Sequence, residues 1–197
     1  MGLFPHAPGG GAEVEHGYKS KGSLLHLLTD YNGNPLAITT TAANGNERQQ
    51  VQKLLDRSRV QEFSEKLRNR AMIILEADKG YDSKKIRQML LNLGIFPFIP
   101  RRQVGRKSPD RPDQSQVSAF FNIKSVRCKV ERTFSWLKRK CRRLFLRWER
   151  LPNAWNAFAT LSLIRYWQKI LFRWVHLPTQ SVKTIRRNPL EPCYIRD

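Results

Sequence analysis

Five apolar residues in succession, Ala71-Met72-Ile73-Ile74-Leu75, limit the folds that are open to this chain. A strand with one face in water alternates apolar and polar residues, whereas a short continuous apolar run is typical of a strand buried on both faces. Burial on both faces requires a layer of structure on each side of the sheet. The run therefore predicts a buried strand inside a layered α/β protein.

The segments around this strand predict the other elements. Residues 22–29 and 36–41 are rich in aliphatic and β-branched residues and flank a turn sequence at 30–35, which predicts a hairpin. The apolar spacings further predict a helical region after Asn44 that divides near Arg57–Arg59, a helix over 84–93, a strand over 95–99, a long helix over 124–149 and a helix over 153–174. This order indicates an α/β fold with a mixed sheet flanked by helices.

The long helix is predicted from a single apolar stripe. Its members recur at spacings of four, three, four, three and four residues: Val130, Phe134, Leu137, Cys141, Leu144 and Trp148. This spacing is typical of a helix face packed on a protein core. Trp136, Trp148 and Trp155 could also stack on DNA bases. Core packing is the favoured interpretation, because Trp148 continues the stripe.

The two ends of the chain differ in composition from its middle. Residues 1–16 are rich in Gly and Pro and predict an irregular lead-in. Residues 17–175 carry the predicted elements and form one domain, and the polar residues 176–197 predict a flexible tail.

Cysteine usage and the apolar stretches indicate where such a protein works. The three cysteines have no zinc or redox spacing, and the N-terminus has no signal-peptide pattern. The longest apolar stretch, residues 154–175, is interrupted by Arg165, Lys169 and Arg173, so it predicts an amphipathic helix rather than a membrane span. We expect a cytoplasmic protein with reduced thiols and no membrane partner.

Net charge indicates the class of partner. The 197 residues include 36 Lys and Arg against 16 Asp and Glu, a formal net charge of +20. Residues 101–150 hold 16 of the basic residues and 4 of the acids, so the excess is concentrated. A concentrated positive field attracts a phosphate backbone. Nucleic acid is therefore the predicted partner, although a ribosomal-type or merely basic protein also fits the charge.

Asp78 is the first residue that we single out for chemistry. It closely follows the buried strand, in the sequence Glu76-Ala77-Asp78-Lys79-Gly80-Tyr81-Asp82-Ser83. Sheets of α/β proteins place ligand sites outside the carboxyl ends of their strands. A turn residue is the alternative interpretation of Asp78. Asp82 or Ser83 is expected to cap the helix that follows.

Glu131 is the second candidate, and it lies on the long helix beside the apolar stripe. A helical period brings Arg127, Glu131, Lys138 and Arg142 near one another. The alternative is a solvated face with an ordinary Arg127–Glu131 ion pair. Glu131 is nevertheless one of only 4 acids in residues 101–150. A carboxylate among cations suits a metal ion whose phosphate ligands the cations also hold.

Three segments resemble, in order, the motifs of DDE-type transposases of bacterial insertion sequences. Residues 127–138 match the spacing of the third catalytic motif, Tyr-x2-Arg-x3-Glu-x6-Lys, through Arg127, Glu131 and Lys138, with Lys124 in place of the tyrosine. The segment Ala77-Asp78-Lys79-Gly80-Tyr81-Asp82-Ser83 is similar to the second motif, whose aspartate is catalytic. Residues 19–36 look like the hairpin between the first two catalytic aspartates, so the resemblance covers about residues 17–170.

The resemblance implies a ribonuclease H-like fold and a transposase that cleaves and joins DNA strands at insertion-sequence ends. Three carboxylates would hold two Mg²⁺ or Mn²⁺ ions, and Asp78 and Glu131 would be two of those ligands. Arg127 and Lys138 would orient Glu131 or contact the DNA backbone. Charge and position alone indicate further phosphate contacts, which do not read sequence: Arg142, Lys79, Arg101, Arg102, Arg106 and Lys107. The implied partners are the insertion-sequence ends and the target DNA, at the bacterial nucleoid.

The first catalytic aspartate of this family has no match in the sequence. The acids of residues 1–16 are Glu13 and Glu15, in a Gly-rich stretch, and Asp30 fits a turn. We therefore expect the chain to lack the first strand of the fold and to be inactive alone. The upstream half of a split transposase is then a candidate partner, and a decayed copy of an element is the other explanation.

Two functions of other classes stay open at this point. The first is a non-catalytic DNA-binding protein that uses only the basic helix and loop. The second is a ribonuclease H-like nuclease unrelated to transposition. DNA binding that is indifferent to Mg²⁺ and to Glu131→Gln would favour the first, and cleavage without strand transfer would favour the second.

Overall fold

The structure is a computed structural model, which describes residues 5–17, 21–67, 72–100, 127–144, 146–175 and 193–196. The strands are β1 (Glu15–His16), β2 (Lys21–Thr29), β3 (Pro35–Ala42), β4 (Ile73–Ala77), β5 (Ile95–Phe98) and β6 (Cys193–Arg196). The α-helices are α1 (Glu47–Ser58), α2 (Val60–Leu67), α3 (Lys84–Asn92), α4 (Arg127–Lys140) and α5 (Pro152–Val175). Short 3₁₀ helices cover Lys79–Tyr81 and Arg142–Leu144.

The strands form one mixed sheet in the order β3-β2-β6-β4-β5, and β1 pairs with the start of β2. β2 is antiparallel to β1, β3 and β6, whereas β4 is parallel to β5 and β6. β6 joins the two halves of the sheet, because Ile195 pairs with Leu28 on one side and with Ala77 on the other. The predicted mixed α/β sheet is confirmed.

Helices cover both faces of this sheet. On one face, α1, α2 and α3 pack through a buried cluster that includes Val51 and Leu75. On the other face, α4 and α5 pack through a second cluster that includes Leu27, Phe134 and Trp155. Each such side chain stabilises the fold by about 1.5–3 kcal/mol when fully buried. The two clusters explain why the strands between them are apolar on both sides.

β4 is the buried strand that the apolar run predicted. Ile73, Ile74 and Leu75 expose 8%, 4% and 0% of their surface, although consecutive side chains point to opposite faces. The strand begins at Ile73 and continues to Ala77, where β6 supplies its pairing partner. The continuous apolar pattern therefore identified the element correctly and placed its end two residues too early.

Local signals in the sequence place the turns and helix ends well. Asp30 accepts hydrogen bonds from the backbone N–H groups of Asn32 and Asn34 at 2.9 and 2.8 Å, as expected for a turn residue. The predicted break in the helical region lies at Arg59, which has a φ of 58° between α1 and α2. Ser83 caps α3 by accepting from the N–H of Ile86 at 3.1 Å.

The long helix predicted over 124–149 is shorter in the structure, and the prediction is wrong beyond Lys140. α4 ends at Lys140, and a 3₁₀ turn and irregular chain follow. The last turn of α4 and the residues after it carry closely spaced cations, which repel at helical spacing. Arg147 is instead drawn into a buried set of hydrogen bonds that a continued helix could not make.

Described residues of the predicted lead-in and of the predicted tail contribute to the fold. In the lead-in, Ala7 and Val14 are buried, and Glu15–His16 pair with β2. In the tail, Cys193–Arg196 form β6, whose backbone completes the ladders of β2 and β4. A strand of four residues between two others obtains its stability from tertiary pairing, so its own sequence gives little signal.

Candidate functional site

Asp78 lies immediately after β4, at the carboxyl end of the strand. Its backbone remains extended, with φ −71° and ψ 160°, and its Oδ1 accepts the N–H of Lys79 at 2.7 Å. Leu75 and Ala77 belong to the cluster under α1–α3. Because side chains alternate along extended chain, Asp78 is assigned to the opposite face, on which α4 and α5 pack against β2 and β3. Asp78 thus caps a short turn, as in the alternative interpretation, at an edge suited to a ligand.

The turn that carries Asp78 is anchored to the hairpin by a buried polar network. The N–H of Tyr81 donates to the carbonyl oxygen of Asp78 at 3.0 Å, and the Tyr81 side chain is fully buried. The Tyr81 hydroxyl and Nδ1 of His26 form a 2.9 Å hydrogen bond, and Nε2 of His26 forms another with Oγ1 of Thr41 at 2.9 Å. A satisfied buried network of this kind fixes the geometry of the turn.

Neither His26 nor Tyr81 was predicted from the sequence to be a site residue. Tyr81 lies within the segment that resembles the second motif, and His26 is a polar residue in an otherwise aliphatic strand. Because a buried polar residue needs a hydrogen-bond partner, His26 could have been predicted to take part in a buried hydrogen bond. Its partner is 55 residues away in the sequence, and no local pattern identifies such a partner.

Glu131 projects from the exposed side of α4, while its neighbours pack inward. Val130 and Phe134 are buried in the second cluster, and the Glu131 side chain is exposed. α4 is fixed to the hairpin turn, where Lys129 lies over the Tyr31 ring at 3.6 Å. The hydroxyl of Thr133 also donates to the carbonyl oxygen of Gly33. The hairpin therefore sets the position of the helix segment that carries Glu131.

The predicted basic contacts are partly within the described residues. Arg127 begins α4, Lys138 is exposed two helical turns after Glu131, and Arg142 is exposed in the following 3₁₀ turn. Lys79 is exposed beside Asp78. The other predicted contacts and the motif's tyrosine position lie outside the described residues: Arg101, Arg102, Arg106, Lys107 and Lys124.

The alternation of side chains along β4 assigns Asp78 to the side of the sheet on which α4 packs against β2 and β3. Within residues 5–17, 21–67, 72–100, 127–144, 146–175 and 193–196, no group of three or more His, Cys, Asp or Glu is arranged to hold a metal ion. Two carboxylates can still hold Mg²⁺, because this ion usually takes one or two protein carboxylates and completes its shell with water and phosphate oxygens. The donor chemistry therefore fits Mg²⁺ bound together with DNA.

Arg147 contacts the N-terminal segment, and its buried position was not predicted from the sequence. Its side chain is fully buried, and its guanidinium donates to Oγ of Ser23 at 2.6 Å and to the carbonyl oxygens of Ala12 at 2.7 Å and Glu149 at 2.9 Å. Burial lowers the pKa of Arg147, and the carboxylates of Glu13 and Glu149 oppose that shift. The guanidinium joins the lead-in, β2 and the chain after α4.

The three tryptophans considered for base stacking have different environments. Trp155 is fully buried, and Trp136 is partly buried against the Tyr166 ring at 4.9 Å, so both pack in the protein as predicted. Trp148 is 59% exposed, because α4 ends before the stripe reaches it. The prediction of core packing is therefore wrong for Trp148.

Residues 5–167 match the family described as the transposase DDE domain, and this range contains Asp78, Glu131 and both helical clusters. The chain belongs to the DDE transposase family. A relative described as a transposase for insertion sequence element IS402 of Burkholderia cepacia is 34% identical over 142 residues. The match includes 72% of this chain, which spans 60% of the length of that relative. The resemblance to bacterial insertion-sequence transposases is confirmed.

No solved structure matches the chain. Among the described helices, none is both long and apolar enough to cross a membrane.

Proposed function

We propose that this transposase chain takes part in Mg²⁺- or Mn²⁺-dependent phosphoryl transfer, which cleaves and joins DNA strands at insertion-sequence ends. The observation that carries the proposal is that Asp78, at the carboxyl end of β4, and Glu131, on α4, both lie within residues 5–167, which match the family. The net charge of +20 supports DNA as the substrate.

The proposed divalent-ion ligands are Asp78 and Glu131. Asp78 is held by its turn, and the Glu131 side chain is exposed on α4. Ions held by these carboxylates would supply activation of the attacking hydroxyl and stabilisation of the leaving oxygen in phosphoryl transfer. The protein's own contribution is to keep both carboxylates in position on rigid elements, so that little reorganisation is needed on binding.

The basic residues of the site are proposed to position DNA. Lys79 follows Asp78 directly, and Lys138 and Arg142 lie along the exposed side of α4 and its 3₁₀ extension. Contacts of Lys and Arg with phosphate set the register of a duplex and carry no sequence information. Arg127 and the loop residues Arg101, Arg102, Arg106 and Lys107 are proposed to add to this surface.

We further propose a ribonuclease H-like arrangement in which the third carboxylate comes from a partner. The sheet order β3-β2-β6-β4-β5 supports the arrangement, because a central strand lies antiparallel to β2 and parallel to β4. Asp78 and Glu131 would supply two ligands from this chain, and a carboxylate from the partner would complete the site. The upstream half of a split transposase would be that partner, at the nucleoid in the bacterial cytoplasm.

Strand cleavage and joining on DNA that carries the flanking insertion-sequence ends tests the proposal. We expect no cleavage by the chain alone in Mg²⁺ and cleavage when the upstream half is added. Asp78→Asn and Glu131→Gln should abolish that activity. Asp82→Asn is the matched control and should retain it, because Asp82 forms a 2.8 Å ion pair with Arg87 inside the fold. Cleavage by the chain alone would contradict the shared site.

A non-catalytic DNA-binding protein is the second candidate, because the net charge of +20 accounts for DNA binding without any metal ligand. In that case DNA affinity would be the same with and without Mg²⁺. It would also be unchanged in Glu131→Gln. Cleavage by the two halves together would exclude this candidate.

A further inference from the structure

The chain between α4 and α5 exposes large apolar side chains on an otherwise basic surface. Trp148 is 59% exposed and Leu151 is 70% exposed. Both lie in residues 141–144 and 146–151, which we call the α4–α5 connection. Exposed apolar groups of this size commonly mark a binding site when they lie together.

The exposure of Trp148 does not result from a loosely attached loop. The preceding residue, Arg147, is fully buried, and its backbone N–H donates to the carbonyl oxygen of His6 at 2.8 Å. Two residues later, the carbonyl oxygen of Arg150 accepts the N–H of Ala12 at 3.1 Å. Anchored backbone therefore flanks the indole on both sides, and the fold holds the ring at the surface.

The charge of the surrounding chain selects an anionic partner. Residues 138–150 contain seven Lys and Arg and one Glu. The side chains of Arg142, Arg143 and Arg150 are exposed. The single acid, Glu149, is paired with Arg143 at 2.7 Å, so it does not oppose an incoming anion. An apolar protein surface would match the indole but not this charge.

A polyanion with flat apolar faces matches both features. Unpaired nucleic-acid bases present such faces and stack on aromatic side chains, whereas bases in a duplex are already stacked on each other. The phosphates of the same strand would meet the arginines. We propose that Trp148 is a stacking platform for an unpaired DNA base, and that the exposed Arg142 and Arg150 hold the backbone beside it. This inference rests on DNA being the substrate in the proposed function, and it requires no metal.

Binding of an unpaired oligonucleotide and of a duplex of equal length separates stacking from charge. We expect Trp148→Ala to weaken binding of oligo(dT) by about 5-fold to about 100-fold, the usual effect of losing one base stack. Its duplex affinity should change less than about twofold, because phosphate contacts remain. Trp148→Phe should retain most of the oligo(dT) affinity, since it keeps an aromatic face. Leu91→Ala is the matched control, because Leu91 is a 52% exposed leucine on α3, and both affinities should be unchanged.

The salt dependence distinguishes a lost stack from a damaged surface. Trp148→Ala should leave the slope of log affinity against log salt concentration unchanged. Arg142→Ala should reduce the magnitude of that slope by about 1, because one phosphate contact is lost. Equal oligo(dT) affinity of Trp148→Ala and the unmodified chain would overturn the proposal, as would an equal loss for duplex and oligo(dT). If the unmodified chain binds neither oligo(dT) nor the duplex, that result contradicts the proposed function, and this inference, which rests on it, is overturned as well.

Discussion

Gly33 illustrates how a single residue can set the distance between two elements. It lies in the hairpin turn with a φ of +86°, and its carbonyl oxygen accepts the Thr133 hydroxyl of α4. A Cβ at this position would lie 3.0 Å from the carbonyl oxygen of Lys129. Both the backbone conformation and the approach of α4 therefore favour glycine, and the helix that carries Glu131 depends on them.

Gly33→Ala is expected to destabilise the protein more than a glycine replacement with open space around it. Gly10 also has a positive φ, of +64°, but no atom lies within 4 Å of the point that a Cβ would occupy there. Gly10→Ala should cost about 1–2 kcal/mol from backbone conformation alone. Gly33→Ala should cost about 1–3 kcal/mol more, from the contact with α4. Urea unfolding measures both, and equal costs would contradict the close packing of turn and helix.

Cys141 links the pH dependence of stability to its burial at the end of α4. Burial raises the pKa of the Cys141 thiol above its ordinary value of 9.0, and Arg165 partly opposes the shift. The thiol is then protonated in the folded state at a pH where it is ionised in the unfolded state. Folding stability is thus fully present below pH 9.0 and declines as pH rises through the higher folded pKa.

This linkage predicts the behaviour of two cysteine variants. Above pH 9.0, the unfolding free energy of the unmodified protein should fall with pH more steeply than that of Cys141→Ala. Cys128→Ala is the control, because Cys128 is exposed, and its slope should equal that of the unmodified protein. Urea midpoints measured at several pH values provide the slopes. Parallel slopes for Cys141→Ala and the unmodified protein would contradict the burial of the thiol.

At the scale of elements, the chain after α4 is stabilised by contacts with distant segments rather than by its own helix propensity. Arg147 donates to Ser23 of β2 and to Ala12 of the lead-in, more than 120 residues away. These hydrogen bonds satisfy backbone and hydroxyl acceptors that would otherwise be buried without partners. The clamp made by Arg147 thus fixes the N-terminal segment, β2 and the α4–α5 connection together.

Replacing the Arg147 guanidinium is expected to lower the stability of the protein, because its buried hydrogen bonds are lost. Arg147→Met keeps much of the side-chain volume but leaves buried acceptors unsatisfied, which should cost about 1–3 kcal/mol. Arg150→Met is the matched control, because Arg150 is exposed, and it should change stability by less than about 0.5 kcal/mol. Chemical denaturation compares the two variants. A similar small effect of both substitutions would show that the clamp contributes nothing.

The same elements show how far the sequence predicts the structure. Periodicity identified the hairpin, both buried faces of β4 and the helix α5, because these patterns follow directly from which side chains are buried. It failed for the chain after Lys140, where the apolar spacing of Leu144 and Trp148 mimics a helix. Hydrogen bonds of Arg147 override that pattern, and β6 depends on strands distant in the sequence. Such long-range partners leave no local signal.

At the scale of the whole molecule, β6 unites two halves of the sheet that would otherwise be separate. β3, β2 and β1 lie on one side of it, and β4 and β5 lie on the other. Asp78 follows β4, whereas the hairpin that positions the Glu131-bearing helix belongs to the first half. The relative position of the two proposed metal ligands therefore depends on the strand between the halves.

Removal of residues 193–197 is expected to loosen the sheet at its centre. Backbone amides of β2 at 27–29 and of β4 at 75–77 lie along the ladders with β6 and should exchange with solvent faster after the deletion. Amides at the paired positions of β2 and β3 near Leu25 and Thr40 serve as the internal control and should change less. Hydrogen–deuterium exchange measures both groups. Unchanged protection at 27–29 and 75–77 would contradict the central position of β6.

The central claim is that Asp78 and Glu131 together hold a divalent ion against DNA, and Mn²⁺ binding in the presence of duplex DNA tests it most directly. Electron paramagnetic resonance should detect Mn²⁺ bound by the unmodified chain when the upstream half and DNA are both present. Affinity should fall at least about tenfold in both Asp78→Asn and Glu131→Gln, because each removes one charged ligand. Asp82→Asn should bind Mn²⁺ normally. Equal Mn²⁺ affinity in all four proteins would contradict the site.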